Sequence, residues 1–467
     1  MKADAVVGHC LCVCCRVAYT KSAVPLMTQV ISSTPPMAPA ARTLARGEIR
    51  TLLLASLGGA LEFYDFVVFV FFALPLSHLF FPPNTAPWLA QLQVYGIFAA
   101  GYLARPLGGI VMAHFGDRQG RKRMFTLSVF LMALPTLAIG LLPVYAQVGV
   151  LAPVLLLVMR VVQGVAIGGE VPGAWVFVAE HAPPGRVGFA CACLTSGLTA
   201  GILIGSLTAA WINHHLAPEQ VLGWGWRLPF LLGGVFGFVA VWLRRWLSET
   251  PVFAQLRERK ALSSELPLRT VLAGHGGSVL LSMAVTWTLT AAILVLILML
   301  PNLAQKPFGI APDVAFLGNS VAAFCLGLGC LAYGWLTDRI GAARALLVGS
   351  LALVAVTYAL FADLEAGGAH FLPLYALTGF LVGSVGVVPT VMVMAFPAPI
   401  RYSGISFAYN VAYAAFGALT ATLISYLGER VGRMAPAHYV AMTAVVSVVV
   451  ALWLMLSKRS DGEQQLL

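Results

Sequence analysis

Five ionisable side chains stand deep inside long apolar runs of this sequence: Glu62, Asp65, Arg105, Arg160 and Glu170, with Arg227 near the edge of a sixth run. An ionised group at the centre of a membrane span costs about 2.5 to 3.5 kcal/mol on insertion scales, so it needs a partner, a wet cavity or a task. Glu62 and Asp65 are three residues apart and share one helix face. Glu62 falls about 15 Å along its run, near the midplane. Two carboxylates so placed suit proton uptake, because burial and a like-charged neighbour both push a carboxyl toward protonation. The competing role is to pair with an arginine and lock helices together.

A guanidinium fixed in such a place offers paired hydrogen bonds to a carboxylate, which makes Arg160 and Arg105 candidate anion ligands. Arg160 is the stronger candidate. Arg105 precedes Pro106 and lies about two turns from a charged turn, so gating suits it as well as substrate contact. Glu170 lies about 15 Å beyond Arg160, too far to pair with it directly. Tyr64 and Gln163 stand in the same stretches and join the candidate binding set. Trp287, Tyr409 and Asn410, with Tyr413 nearby, are candidates for the opposite wall of a cavity, although any one of them suits a packed core equally.

The runs that carry these residues are long enough to cross about 30 Å of hydrocarbon. Twelve are expected, the first from Leu52 to Phe80 and the last from Tyr439 to Leu456. The chain of 467 residues is 60% hydrophobic and 10% charged, a polytopic membrane composition. The division expected is an N-terminal tail over 1–50, a six-helix bundle over 51–246, a polar linker over 247–270, a second bundle over 271–457 and a tail over 458–467. The net charge of +10 follows from basic residues gathered on one face of this topology, with only Lys306, Arg430 and Arg433 opposite. The positive-inside rule makes that face cytoplasmic, places both termini there and leaves no excess charge for nucleic acid.

The charged turn Gly116 to Arg123 contains Asp117, Arg118, Gly120 and Arg121, and its pattern returns at Asp338, Arg339, Gly341 and Arg344. Repeated halves with a charged turn after the second span are expected of a transporter that rocks two bundles about a midplane site. Eight cysteines form no disulfide framework; Cys10, Cys12, Cys14 and Cys15 crowd a tail whose true start is as plausibly Met27 or Met37. That cluster is read as a dangling tail before it is read as a metal or acylation site.

Taken together, Gly58 to Phe66, Arg105 to Gly109, the Gly116 to Arg123 turn, Arg160 to Glu170, Trp226 to Phe230 and Glu249 to Phe253 resemble the metabolite:proton symporters of the major facilitator superfamily. That group includes permeases for oxoglutarate, citrate, shikimate and proline or betaine. The resemblance implies an all-α integral membrane protein with twelve transmembrane helices in two pseudo-symmetric six-helix bundles. It also implies a gate of Asp117, Arg118, Gly120 and Arg121 relayed to Glu180, with coupling at Glu62 or Asp65 and Arg160. Phe63 stands where relatives carry Trp, and Ala342 and Ala343 replace bases in the second turn, which weakens the gating expectation for Asp338 and Arg339.

The function expected is proton-driven symport of a small polar metabolite by alternating access, with no cofactor beyond the coupling proton. The chain is expected to act as a monomer in a bacterial inner membrane. An organic acid such as a di- or tricarboxylate is the leading substrate class, and a zwitterion of the proline or betaine type is its nearest competitor. A sensor on the same fold, or a membrane enzyme, is disfavoured by the lack of a signalling domain, a nucleophile motif or a phosphate loop.

Overall fold

A chain in hydrocarbon must satisfy its own backbone N–H and C=O groups, and helices do so within each segment. The computed structural model describes residues 46–119, 121–183, 185–246, 258, 267–305 and 308–464. Residues 1–45 of the expected N-terminal tail, with its cysteines, most of the linker, and Gly120 lie outside the described residues, whereas 46–50 of that tail are already helical. So do the side chains of Glu62, Asp117, Arg118 and Arg121.

The first half contains α1 (Arg46–Phe71), α2 (Pro87–Gln119), α3 (Arg121–Leu141), α4 (Leu151–His181), α5 (Val187–His215) and α6 (Arg227–Arg244). In the second half, α7 starts at Gly276–Ala291 and runs on through a π segment, Ala292–Met299, into Leu300–Gln305. Then come α8 (Pro312–Ile340) and α9 (Ala342–Glu365). α10 joins Phe371–Val382 to Val388–Ala395 through a tight 3-10 turn, Gly383–Val387. α11 joins Arg401–Ala412 to Ala418–Arg430 through a π turn, Tyr413–Gly417, and α12 is Ala435–Gln464.

Nine of these helices are long and apolar enough to cross a membrane, and Pro218–Gly225 with Arg227–Leu243, bent by 43°, makes a tenth. α3 has a shorter apolar stretch, Thr126–Leu141, and α11 is interrupted by its π turn. Counting these two as well, the described helices are consistent with the twelve crossings expected.

Two boundaries differ from expectation in ways that matter for the site. The first span stops at Phe71 and a separate short helix, Ala73–Leu79, follows. α2 stays helical through Gln119, so Arg105 lies about 21 Å from that end, almost four turns and not two. The charged turns α2–α3 and α8–α9 mark one end of the molecule, called here the basic end. Gly341 alone separates α8 from α9, and its φ of +88° is a conformation that favours glycine.

Within the first half α2 crosses α4, α1 packs on α5, and α3 lies against α4 and α6. In the second half α8 crosses α10, α9 packs on α12, and α7 lies against α11 and α12. The halves meet where α5 faces α8 and α2 faces α11. Both internal crossings are made by glycine. A Cβ on Gly164 or Gly168 would strike the carbonyl of Gly101 or Arg105, and one on Gly379 or Gly329 would strike that of Ala322 or Phe380. The same close approach at α2/α4 and α8/α10 is the structural form of the repeat seen in the charged turns.

Because Gly168 has no room for even one methyl group, Gly168→Ala should destabilise the protein by about 1 to 3 kcal/mol despite alanine's better helix propensity. Gly205 meets its neighbours only at ordinary contact, 3.5 Å or more, so Gly205→Ala should be neutral or stabilising by up to about 1 kcal/mol. Thermal unfolding of the two variants in detergent, side by side, checks the contrast.

Candidate functional site

Arg160 sits on α4 about 13 Å from the end of the helix opposite the basic end, and it is 1% exposed. Three rings enclose its guanidinium: Phe69 at 4.1 Å, Phe66 at 5.0 Å and Phe98 at 5.1 Å. Aromatic faces attract a desolvated cation by about 2 kcal/mol, which offsets part of its burial. One nitrogen, NH1, donates to Gln163 Oε1 at 2.8 Å. Nε and NH2 have no hydrogen-bond partner. A buried cation with two unmet donors is a seat for an anion.

Gln163, one turn along α4, also donates from Nε2 to Thr136 Oγ1 on α3 at 2.6 Å. Thr136 in turn donates to its own helix at Met132 O, 3.0 Å away. Beside it lies Asp65, 1% exposed, with neither carboxylate oxygen hydrogen-bonded. The carboxylate points at α3 and α6: a Cβ on Gly233 would meet Asp65 Oδ1 and Thr136 Cγ2. Gly233 therefore leaves the room that Asp65 occupies. Tyr64, next on α1, turns toward α6, where its hydroxyl donates to Pro229 O at 3.1 Å and its ring packs edge-on against Phe236.

Arg105 occupies a second aromatic enclosure, at the seam between the halves. Its guanidinium lies 5.6 Å from Tyr102 on α2 and 5.3 and 4.4 Å from Tyr409 and Tyr413 on α11. Nε and NH2 again lack partners. Trp287 on α7 stacks on Phe416 of α11 at 4.5 Å and donates to Tyr439 Oη at 3.0 Å. Tyr439 reaches Thr420 Oγ1 at 2.8 Å, so the second-half wall is braced from α12.

Toward the basic end the halves are joined by a polar stripe. Tyr402, Ser406 and Asn410 fall four residues apart on one face of α11. Tyr402 donates to Gly169 O, Ser406 to Gly109 O at 3.0 Å and Asn410 to Gly168 O at 2.6 Å. Missing glycine side chains bare these carbonyls: a Cβ on Gly109 would collide with Asn410 and Ser406, and one on Gly173 with Tyr402. At the end itself Arg401 NH1 meets Glu180 Oε1 at 3.2 Å. Asp338 accepts from the backbone N–H groups of Gly188 at 2.8 Å and Phe189 at 3.1 Å, capping α5 from the other half. A carboxylate at a helix N-terminus gains from both the unmet donors and the helix dipole. These contacts join the two halves at the basic end.

The structure brings Asp65, Gln163 and Arg160 into one buried polar line and sets Tyr64 in the packing against α6. Asn410 is placed on the contact between halves, and Arg105 and Tyr409 lie together at the seam. Glu180 faces Arg401, while the side chains of its expected relay partners in the first turn are outside the described residues. Asp338 holds a cross-half contact in spite of the weakened second turn, and the exposed Arg339 lies over Trp335 at 4.3 Å. Thr136, Arg401, Tyr402 and Ser406 escaped sequence reasoning. The four-residue spacing of Tyr402, Ser406 and Asn410 was a signal for three of the stripe's members, whereas nothing in α3 distinguishes Thr136 from an ordinary core threonine.

The family model described as Major Facilitator Superfamily matches residues 54–421. The chain is 30% identical over 418 residues to a glycine betaine/proline/ectoine/pipecolic acid transporter of Dickeya dadantii, covering 87% of this chain and 83% of the relative. It is 31% identical over 430 residues to the shikimate transporter of Escherichia coli, covering 90% and 97%. Among solved structures, a proton:xylose symporter bound to 6-bromo-6-deoxy-D-glucose superposes with a TM-score of 0.73 at 17% identity, over 87% of this chain and 95% of that one. That likeness shows a shared fold.

Each hydrogen bond of the stripe should contribute about 0.5 to 1.5 kcal/mol to holding the halves together at the basic end. Spin labels at Val187 and Ala343, on opposite halves of the basic end, would therefore show the longer-distance population rising about 2- to 10-fold in Tyr402→Phe. An unchanged distance distribution would mean that the stripe does not hold this end shut.

Proposed function

Since the chain belongs to the major facilitator superfamily, a family of membrane transporters and not of enzymes, we propose that it is a proton-coupled secondary transporter that imports a small metabolite through its carboxylate. The observation that carries this reading is Arg160: a buried guanidinium in a phenylalanine enclosure, with Nε and NH2 unmet. The named cargoes of both relatives, the betaine and amino acids of one and the shikimate of the other, each bear a carboxylate. Asp65, buried and without a hydrogen-bond partner, supplies the proton site. Glu62, one turn back on the same helix, is its candidate companion.

The basic end is cytoplasmic by the positive-inside rule, which puts both termini in the cytoplasm of a bacterial inner membrane. In this reading the contacts at the basic end form the cytoplasmic gate. Proton and substrate enter from the outside, the contacts at the basic end part, and both leave inward. A single chain carries both halves and works as a monomer. No cofactor enters this cycle; the proton is the coupling ion.

An organic acid is the leading cargo class. The second reading, a zwitterion, draws on the named cargoes of the Dickeya dadantii relative, glycine betaine and proline among them.

Proteoliposomes given labelled organic acids and betaines, with and without an inward proton gradient, test the reading. Accumulation should require the gradient, and Arg160→Ala should weaken substrate binding about 10- to 100-fold, the loss expected of one or two charge-assisted hydrogen bonds. Asp65→Asn or Glu62→Gln should abolish gradient-driven accumulation while substrate exchange survives. Wild-type accumulation in all three variants would place the chemistry elsewhere in the protein.

A further inference from the structure

Asp65 and Arg160 make no direct hydrogen bond, and neither Asp65 carboxylate oxygen has a hydrogen-bond partner among the described residues. Between them stand two neutral groups whose hydrogen bonds all run one way. Arg160 NH1 donates to Gln163 Oε1, and Gln163 Nε2 donates to Thr136 Oγ1. The Thr136 side chain stands beside the Asp65 carboxyl, both meeting a Cβ placed on Gly233, while the threonine hydroxyl donates to Met132 O at 3.0 Å. The chain of donors therefore stops one link short of the acid. Turning one C–O bond would complete it, because a hydroxyl hydrogen rotates to suit its acceptor.

We propose that Thr136 and Gln163 are positioning residues that couple the acid on α1 to the arginine on α4: the donor chain is complete when Asp65 is ionised and broken at Thr136 when Asp65 is protonated. This rests on the proton and substrate roles given above to Asp65 and Arg160. An ionised Asp65 draws the hydroxyl proton, which polarises the amide of Gln163 and tightens its hold on the Arg160 guanidinium. Protonation releases the threonine to Met132 O, the arrangement seen here, and loosens that hold. Arg160 is then freer to turn its unmet N–H groups to a substrate carboxylate. Proton binding thus favours substrate binding through two uncharged side chains.

The surroundings leave few competing groups. Tyr64, beside Asp65 on α1, is engaged with Pro229 O. On α6, Arg227 donates to Gly140 O and Leu142 O at 2.8 Å, about 9 Å along the helix from Gly233. On α5, the small residues Gly201 and Gly205 face α1. The side chain of Glu62 lies outside the described residues.

Infrared titration of the protonated carboxyl band in the full-length protein tests this without a substrate. Asp65→Asn identifies the band by erasing it. Thr136→Val keeps the shape of the residue and removes the hydroxyl, so the titration midpoint should move to higher pH by about one unit, the loss of one hydrogen bond to a charged group. Thr136→Ser should restore it. Gln163→Leu should move the midpoint the same way in the wild type and much less in the Thr136→Val background, because the two act in series. A merely structural role would alter stability and leave the midpoint in place. Unmoved midpoints, or full additivity of the two variants, overturn the relay. Survival of the whole band in Asp65→Asn overturns instead the assignment of the proton to Asp65.

Discussion

The cost of placing ionised groups in hydrocarbon constrains everything else in this protein. Arg105 and Arg160 are both at most 2% exposed, and among the described residues each is surrounded by rings instead of by a carboxylate. Aromatic faces stabilise a cation without cancelling its charge. A direct ion pair would have satisfied the same cation and left it unavailable. Asp65 follows the same logic from the other side: it has room, cut by Gly233, and no hydrogen-bond partner among the described residues. An acid so placed can exchange a proton without first breaking a salt bridge.

Glycine has two separate uses in the bundle. At the α2/α4 and α8/α10 crossings it lets backbones touch, which makes each half rigid. Along the surface that α2 and α4 present to α11 it bares carbonyl oxygens, and Tyr402, Ser406 and Asn410 bind them. These cross-half hydrogen bonds are individually modest, and they add to extensive helix packing where α5 faces α8 and α2 faces α11. Rigid halves joined by breakable bonds are what a rocking motion requires. The capping of α5 by Asp338, the pairing of Glu180 with Arg401, and the hydrogen bonds of Ser196 to Gly327 O and of Ser206 with Ser320 belong to the same seam.

Much of this architecture was legible beforehand. Run lengths gave the helices, charge placement marked the turns, and the repeated turn pointed to repeated halves, because hydropathy acts residue by residue and needs no knowledge of neighbours. Arg160, Gln163 and Asp65 stood out in the sequence as polar residues in apolar runs, and all three are buried. Thr136 was invisible: a threonine in a span is ordinary until another helix sets an amide 2.6 Å from it. Arg401 was counted only as one more positive charge, and its partner became apparent when α11 met α4.

The amino-acid order by itself determined that this chain lies in a membrane, how many times it crosses and which side chains are held there at a cost. Only the tertiary structure decided how those side chains face. It turned Asp65 and Tyr64 toward α3 and α6, set Asn410 on a carbonyl of the other half, and enclosed each arginine in rings. The reason is physical: insertion energy depends on composition along one segment, whereas a hydrogen bond or a ring contact depends on the rotation and crossing of two helices far apart in the chain, which glycine-sized gaps settle only when the bundle packs.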